Sequence, residues 1–541
     1  MTPAVVPVGI DGRFAFAGNL LAPMALEKDM ARALSAASLT ALVVAGAGLA
    51  ALLGASPAVV AIAIALAFLP YAGLLGAELP SDQSRTVRWA MGLAAAAGAV
   101  LVAAPSLLSD DLYRYLWDAR VLGHGIDPYL YAPDDPALYG LRDELHGRVN
   151  NPEVPTIYPP LAQLFFWAAA SIDHAPWAVK ALALVAHIGT IPVVARLAAS
   201  VAHETVETPK TRDRGGRAAL LYGLNPLALT ESALGGHVDV VAGLALAAFA
   251  LALVRGRGGF AAVAVAVATG TKLIGLVVAP LVALRSRRAA VLALALSAAV
   301  AAPIFFAGRG SDAAPGVGHY ARRWSGNSGL FLVLEAGAGA VVDHVAEGNW
   351  SAEGRIRLPA LEPVVTALMG TPFDPWQTQL AEKKEPSSRT IFERSYVSSM
   401  LARVTALLLV FALAFILLYA RATPLLATRA VVFAVLLLAP QLHPWYLLWL
   451  LPLEAAAGRG AGLVFSAAIL ATYAPIAGWA RDHVWIATPV AAVVAHGAAF
   501  LLLASELRLS RFPWFRRLLR FLRLRGLSWI PAGFRHRSGN R

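Results

Sequence analysis

The sequence predicts an all-α integral membrane protein, a polytopic bundle of about 12–14 transmembrane helices with two large external loops. Three observations predict it. Of 541 residues, 58% are hydrophobic and 14% charged, where soluble domains carry roughly 25% charged residues. Apolar stretches near the roughly 20 residues that cross a bilayer recur along the chain. Between them lies a long, aromatic-rich polar stretch, Ser109 to Pro160, far longer than two helices need for their connection.

The elements follow in order. The first 32 residues carry mixed charge and no basic n-region, so they read as a cytoplasmic segment without a cleaved signal peptide. Residues 33–507 form the transmembrane domain. Its first spans fall at 33–54, 57–77 and 89–107, built mainly from Ala, Leu, Val and Gly. Small residues let helices pack closely in lipid. After the polar loop, 108–160, come a short apolar run at 161–172 and a full one at 177–200. Spans are expected at 218–235 and 238–254, and the run 258–284 is interrupted by Thr269-Gly270-Thr271-Lys272. A span at 289–307 leads into a second external region, 309–398, with a weak apolar segment at 330–342. The last spans are 399–420, 425–442, 444–458, 461–480 and 484–506, and the tail 508–541 is basic.

Charge sets the expected orientation. The formal net charge is +12, much of it after Glu506. Positive-inside topology and anionic lipid account for this better than nucleic acid does, so no nucleic-acid partner is expected. The tail, Arg285-Ser286-Arg287-Arg288, Arg255-Gly256-Arg257 and the 210–217 connector are placed in the cytoplasm. The polar loop has nine Asp or Glu against four Arg and is placed outside. The two ends of the chain agree if 161–172 does not cross fully and 258–284 enters and returns. Irregular backbone at membrane depth survives only where it is buried in protein or lines a cavity. With that topology the clusters of unusual polar residues gather on the outer face, except for Lys272 within the membrane.

Several residues there can carry chemistry. Asp110 and Asp111 sit just beyond a span; a carboxylate in that position can take a proton from an acceptor hydroxyl, or merely cap a helix. Arg114, four residues after Asp110, is expected to pair with it on one helical face, with Asp118 and Arg120 continuing that face. Tyr113, Tyr115 and Trp117 suit an interfacial belt or a sugar-stacking surface, and Tyr158 is a candidate for substrate binding. His237 and Asp239 occupy the mouth of a helical hairpin, where ionisable groups are costly. Lys272 needs an anionic partner, a carboxylate or a phosphate, unless it snorkels to the interface. Arg322 and Arg323 offer paired guanidinium groups for a phosphate, and His443 lies at the outer end of a span.

What is missing also narrows the function. There is no cysteine, which removes disulfides and thiol chemistry. Neither GxxxxGK[ST], GxGxxG nor HExxH occurs. An outward-facing transferase without access to cytoplasmic nucleotides would draw its donor from the bilayer.

The stretch SDDLYRYLWDARVLGHGIDPYLYAP, followed by TIYPPLAQ, resembles the polyprenol-phosphate-dependent glycosyltransferases of the GT-C fold. The likeness is closest to glycosyltransferase family 87 and the mycobacterial alpha-1,6-mannopyranosyltransferases, and looser to the first mannosyltransferase of GPI-anchor synthesis. It continues through LNPLALTESALGGHVD, TGTKLIGLVVAP, YARRWSGNSGLF and PQLHPWYLLWLLP, and so covers most of residues 85–460. The resemblance implies a catalytic acid in the first large external loop, Asp110 or Asp111, with a slight preference for Asp110. It implies a polyprenyl-phosphate-sugar donor, most simply of mannose, a glycan or lipid acceptor, and inversion at the anomeric carbon. Arg114, Lys272, Arg322 and Arg323 are then candidates for the leaving phosphate, with His237 and His443 as hydrogen-bond donors. A divalent cation is left open. The resemblance places the protein in a bacterial inner membrane with its site facing outward. The competing reading is a transporter or flippase of a lipid-linked sugar, since broken helices also suit transporters. Against it stand the absence of an evident inverted repeat and the gathering of polar residues on one face. A non-catalytic scaffold is a third reading, under which the acid pair would be dispensable.

Overall fold

The computed structural model describes residues 12–76, 83–202, 214–306, 315–345, 355–357, 391–473 and 489–506. Its described residues are overwhelmingly helical, as the composition predicts. Six helices are long and apolar enough to cross a membrane, and seven shorter apolar helices accompany them. The first three are α1 (Gly12–Leu52), α2 (Pro57–Gly76) and α3 (Gln83–Ala103), which pack together. Next come α4 (Asp111–Gly123), α5 (Pro160–Ile172) and α6 (Pro176–Ala202). At 13 residues, α5 is as short as its apolar run suggests.

Proline marks the start of many helices. Pro57, Pro160, Pro176, Pro226, Pro315, Pro424 and Pro489 each occupy the first helical position. There the missing N–H would have had no partner and the ring presets φ.

Proline also explains where expected spans break. The run 218–235 is not one helix but α7 (Arg214–Gly223) and α8 (Pro226–Ala233). Asn225 makes the break, its side chain accepting from Ala228 N at 3.0 Å. Its amide reaches Ser466 Oγ at 3.0 Å, so the interruption is sealed inside the bundle. The run 444–458 is likewise a 3₁₀ turn, Pro444–Trp449, followed by a helix at Leu451–Ala457.

The chain continues as α9 (Asp239–Val254) and α10 (Gly258–Thr271). The interruption expected in 258–284 falls at Lys272, whose backbone is extended (φ −147°, ψ 129°). Beyond it lie α11 (Ile274–Val278) and a 3₁₀ turn, then α12 (Arg287–Phe306) against α10. In the second polar region are α13 (Pro315–Arg323), α14 (Leu330–Val345) and one short antiparallel pair, β1 (Arg355–Arg357) with β2 (Ile391–Glu393). That pair is a small departure from the all-α expectation. Of the remaining spans, 399–420 falls on a helix at Arg394–Tyr419, and the run 425–442 gives a shorter helix, Pro424–Leu438. The run 461–480 gives a helix at Ala461–Ala468 and a 3₁₀ turn ending at Tyr473, and the last span is Pro489–Glu506. Residues 210–213 of the connector and the tail 508–541 lie outside the described residues.

One large apolar core runs through the bundle, rich in alanine. Close approach is built in: a Cβ at Gly243 of α9 would overlap the Leu448 carbonyl. A smaller cluster lies beneath the polar loop, where Leu112, Tyr115, Leu116 and Ala119 of α4 bury against Ala162, Phe166, Val179 and Val238.

Candidate active site

The site begins at the first turn of α4. Ser109 Oγ accepts from Asp111 N at 3.2 Å, leaving Asp110 as the residue before the helix and Asp111 as its first residue. The 3.6-residue repeat aligns Asp111 with Tyr115, so burial of Tyr115 turns Asp111 toward the protein. The side chain of Asp111 keeps 16% of its exposure. Its Oδ2 accepts from Tyr158 OH at 3.3 Å.

The loop then returns to the two acids. Asn150 donates to Asp110 Oδ1 and to Asp111 Oδ1, both at 2.8 Å. Arg114 and Asp118 hold this return in place. Arg114 Nε pairs with Asp118 Oδ1 at 2.9 Å, and its Nη2 donates to Val154 O at 2.9 Å. Thr156 and Gln163 donate to Asp118 Oδ2. The expected Arg114–Asp110 pair is thus replaced by Arg114–Asp118, because Asp110 precedes the helix and does not share its face. Both partners are almost fully buried, which makes them a brace for the loop. Arg120 is engaged further out, with Asp143 at 2.7 Å.

Against Asp111 stands the Gly-Gly-His turn between α8 and α9. Gly236 has φ +68°, and a Cβ there would come within 2.6 Å of Leu112 Cδ2. The turn puts His237 Nδ1 3.8 Å from Asp111 Oδ2 and Nε2 3.2 Å from Glu231 Oε2. Tyr115 OH lies 3.4 Å from Nδ1. The His237 ring stacks on Trp445 at 4.1 Å, and Trp445 stacks on His443 at 4.2 Å. His443 is thereby brought into the site, three rings deep, with Gln441 Nε2 2.6 Å from its Nε2.

Lys272 completes the arrangement. Released by the end of α10, its Nζ lies 3.2 Å from Asp239 Oδ2. It also sits 4.9 Å from the Tyr158 ring centre and 5.6 Å from that of Tyr446. Asp239 accepts from Trp449 Nε1 at 2.9 Å through its other oxygen. Tyr446 OH meets Tyr320 OH at 2.5 Å, which brings α13 over the same place. Lys272, expected apart within the membrane, thus joins the loop residues. Arg322 and Arg323 end α13; their side chains lie outside the described residues.

The electrostatics favour a base at Asp111. Burial and the adjacent Asp110 charge push its carboxyl up to about 6, against the opposing pull of Lys272 and Asn150. Near neutral pH it is ionised yet more basic than a free carboxylate, the condition a general base needs. Among the described residues no group of three or more His, Asp or Glu is arranged to hold a metal ion.

Sequence reading misses three members of the site. Asn150 is one polar residue in a polar loop and carries no signal. Glu231 carries one, an acid within an apolar run. Trp445 reads as an interfacial aromatic, and its stacking between two histidines has no sequence signature.

Fold and site together define a class: a polytopic membrane protein with a buried acid–histidine–lysine constellation at one end of its bundle. Residues 31–288 match the family model described as alpha-(1->6)-mannopyranosyltransferase, N-terminal domain. That segment, which includes Asp110, Asp111, His237 and Lys272, is similar to the N-terminal domain of that family, and the likeness supports a membrane glycosyltransferase. No curated protein and no solved structure compared with the chain matches it.

Proposed function

We propose that the protein moves a hexose, mannose, from a polyprenyl-phosphate donor to a hydroxyl of an external glycan or lipid acceptor. Asp111 takes the acceptor's proton as its oxygen attacks the anomeric carbon. The bond from that carbon to the phosphate oxygen breaks on the opposite face, and configuration inverts. The electron pair leaves with the lipid phosphate, which gains charge and is met by the Lys272 ammonium. Asp110 raises the basicity of Asp111, and Asn150 keeps both carboxylates in register. The Asp111 carboxylate beside His237, with Lys272 on the same side of the bundle, is the observation that carries this reading. It moves the choice of base from Asp110 to Asp111, the acid turned into the cluster.

The site is assigned to the exterior face of a bacterial plasma membrane, with the basic tail on the cytoplasmic side. The test is transfer by purified protein in liposomes, given radiolabelled polyprenyl-phosphate-mannose and an envelope-lipid acceptor. Label in a new product is the expected result. Label that crosses the bilayer without forming product would make the protein a flippase.

A further inference from the structure

We propose that the hydroxyl pair of Tyr320 and Tyr446 binds the phosphate of the lipid donor beside Lys272. The proposal rests on the reading that the donor is a lipid phosphate. Lys272 Nζ lies 4.9 Å from the Tyr158 ring centre and 5.6 Å from that of Tyr446. Tyr446 stacks at 4.7 Å on Trp449, whose Nε1 donates to Asp239. Its ring is thereby fixed alongside the Lys272–Asp239 pair.

Two tethers bring Tyr320 to the same place. In α13, Gly316 packs on the end of the polar loop, where a Cβ would overlap the carbonyl oxygens of Pro155 and Thr156. Tyr320 follows four residues later on that face of the helix. Beyond α13, Gly326 N donates to Pro440 O and Gly326 O accepts from Leu442 N, both at 3.0 Å. These bonds stitch the segment to the stretch that leads into Tyr446.

The phenol protons around Lys272 are unevenly used. Tyr158 spends its O–H on Asp111 Oδ2. The hydroxyls of Tyr320 and Tyr446, 2.5 Å apart, hold two protons for one hydrogen bond. Whichever phenol donates to the other, one O–H is left without an acceptor among the described residues. Both residues are half-buried, so a ligand can reach it. The neighbouring ammonium is already balanced by Asp239 at 3.2 Å. A spare O–H beside a neutralised ammonium suits an anion held by hydrogen bonds more than by net charge, and a phosphate oxygen accepts such bonds. When the bond to the anomeric carbon breaks, its electron pair gives the phosphate a second negative charge. The phenol keeps its proton, and its hydrogen bond to the phosphate strengthens.

The variant is the double Tyr320→Phe with Tyr446→Phe, which keeps both rings and strands neither hydroxyl. Binding is measured in detergent for polyprenyl phosphate, for the uncharged polyprenol of the same length and for inorganic phosphate. Loss of a hydrogen bond to a charged group should weaken polyprenyl phosphate about tenfold and leave polyprenol unchanged. An equal loss for both lipids marks a structural role and would overturn the proposal. Inorganic phosphate that binds as tightly as the lipid would make this a free-phosphate site and overturn it too. Carbon-13 spectra of the tyrosine Cζ atoms supply a readout that does not need the double variant, with the two signals assigned by their loss in Tyr320→Phe and Tyr446→Phe. Polyprenyl phosphate should shift at least one of them and polyprenol neither; two unmoved signals would overturn the proposal. If the unaltered protein binds polyprenyl phosphate no better than polyprenol, the reading of the donor fails first. If it prefers the phosphate and the double variant keeps that preference in full, only the role of the tyrosine pair fails.

Discussion

Asn150 donates its side-chain amide to Asp111 at 2.8 Å, and the same nitrogen reaches Asp110 at 2.8 Å. One neutral donor thus holds two adjacent carboxylates whose repulsion raises the basicity of the inner one. The pair behaves as a unit, and its parts should move the pH dependence in opposite directions.

With Asp111 pushed up to about 6, kcat/KM should fall as pH drops through that value, because the base is lost on protonation. Replacing Asp110 with Asn removes the neighbouring charge, so the acid limb should move to lower pH and the plateau should decrease. A limb that stays fixed would separate the two acids. Stability has its own sign. A carboxyl raised above its unfolded value favours the protonated fold, so this contribution is full below about 4 and lost by about 6.

Asn150→Ala should act the other way. Its hydrogen bond favours the charged form of Asp111, so removing it should shift the acid limb to higher pH. A pH–rate profile beside that of Asp110→Asn checks both signs in one experiment.

Lys272→Ala should weaken donor binding about tenfold or more if the ammonium meets the lipid phosphate. It also strands the buried carboxylate of Asp239, a loss of roughly 3–5 kcal/mol for a broken buried pair. The double variant Lys272→Ala with Asp239→Asn separates the two effects. Stability should recover and donor affinity should not. Unchanged donor affinity in a folded variant would remove Lys272 from the phosphate site.

Gly236→Ala should cost about 1–2 kcal/mol from its left-handed backbone alone, and more from overlap with Leu112. Because the turn aims His237 at Asp111, transfer should fall further than thermal stability does. Measuring both in one preparation, by activity and by melting in detergent, checks this.

Much of the fold is legible in the sequence because a bilayer imposes a length. Apolar runs such as 57–77 and 177–200 become helices with little ambiguity. The run 218–235 misleads because an apolar total conceals the Asn225-Pro226 break, whose side-chain amide is satisfied by Tyr71 and Ser466, both far away along the chain. At the site, Asp110, Asp111, His237 and Lys272 stand out as charges where charges are costly. Which charges meet does not stand out. Arg114 turns to Asp118, and Asp239, not a substrate alone, answers Lys272. Those choices depend on where helices start and end, which periodicity locates only within a few residues.

In the proposed transfer Asp111 is the base and a lipid phosphate is the leaving group. The most direct test compares transfer from polyprenyl-phosphate-mannose by the unaltered protein, Asp110→Asn and Asp111→Asn, at a pH above both limbs. A loss of roughly 10²–10⁴-fold is expected for Asp111→Asn and a much smaller loss for Asp110→Asn, with both variants folded. Transfer that survives Asp111→Asn, or that is abolished only by Asp110→Asn, would contradict it.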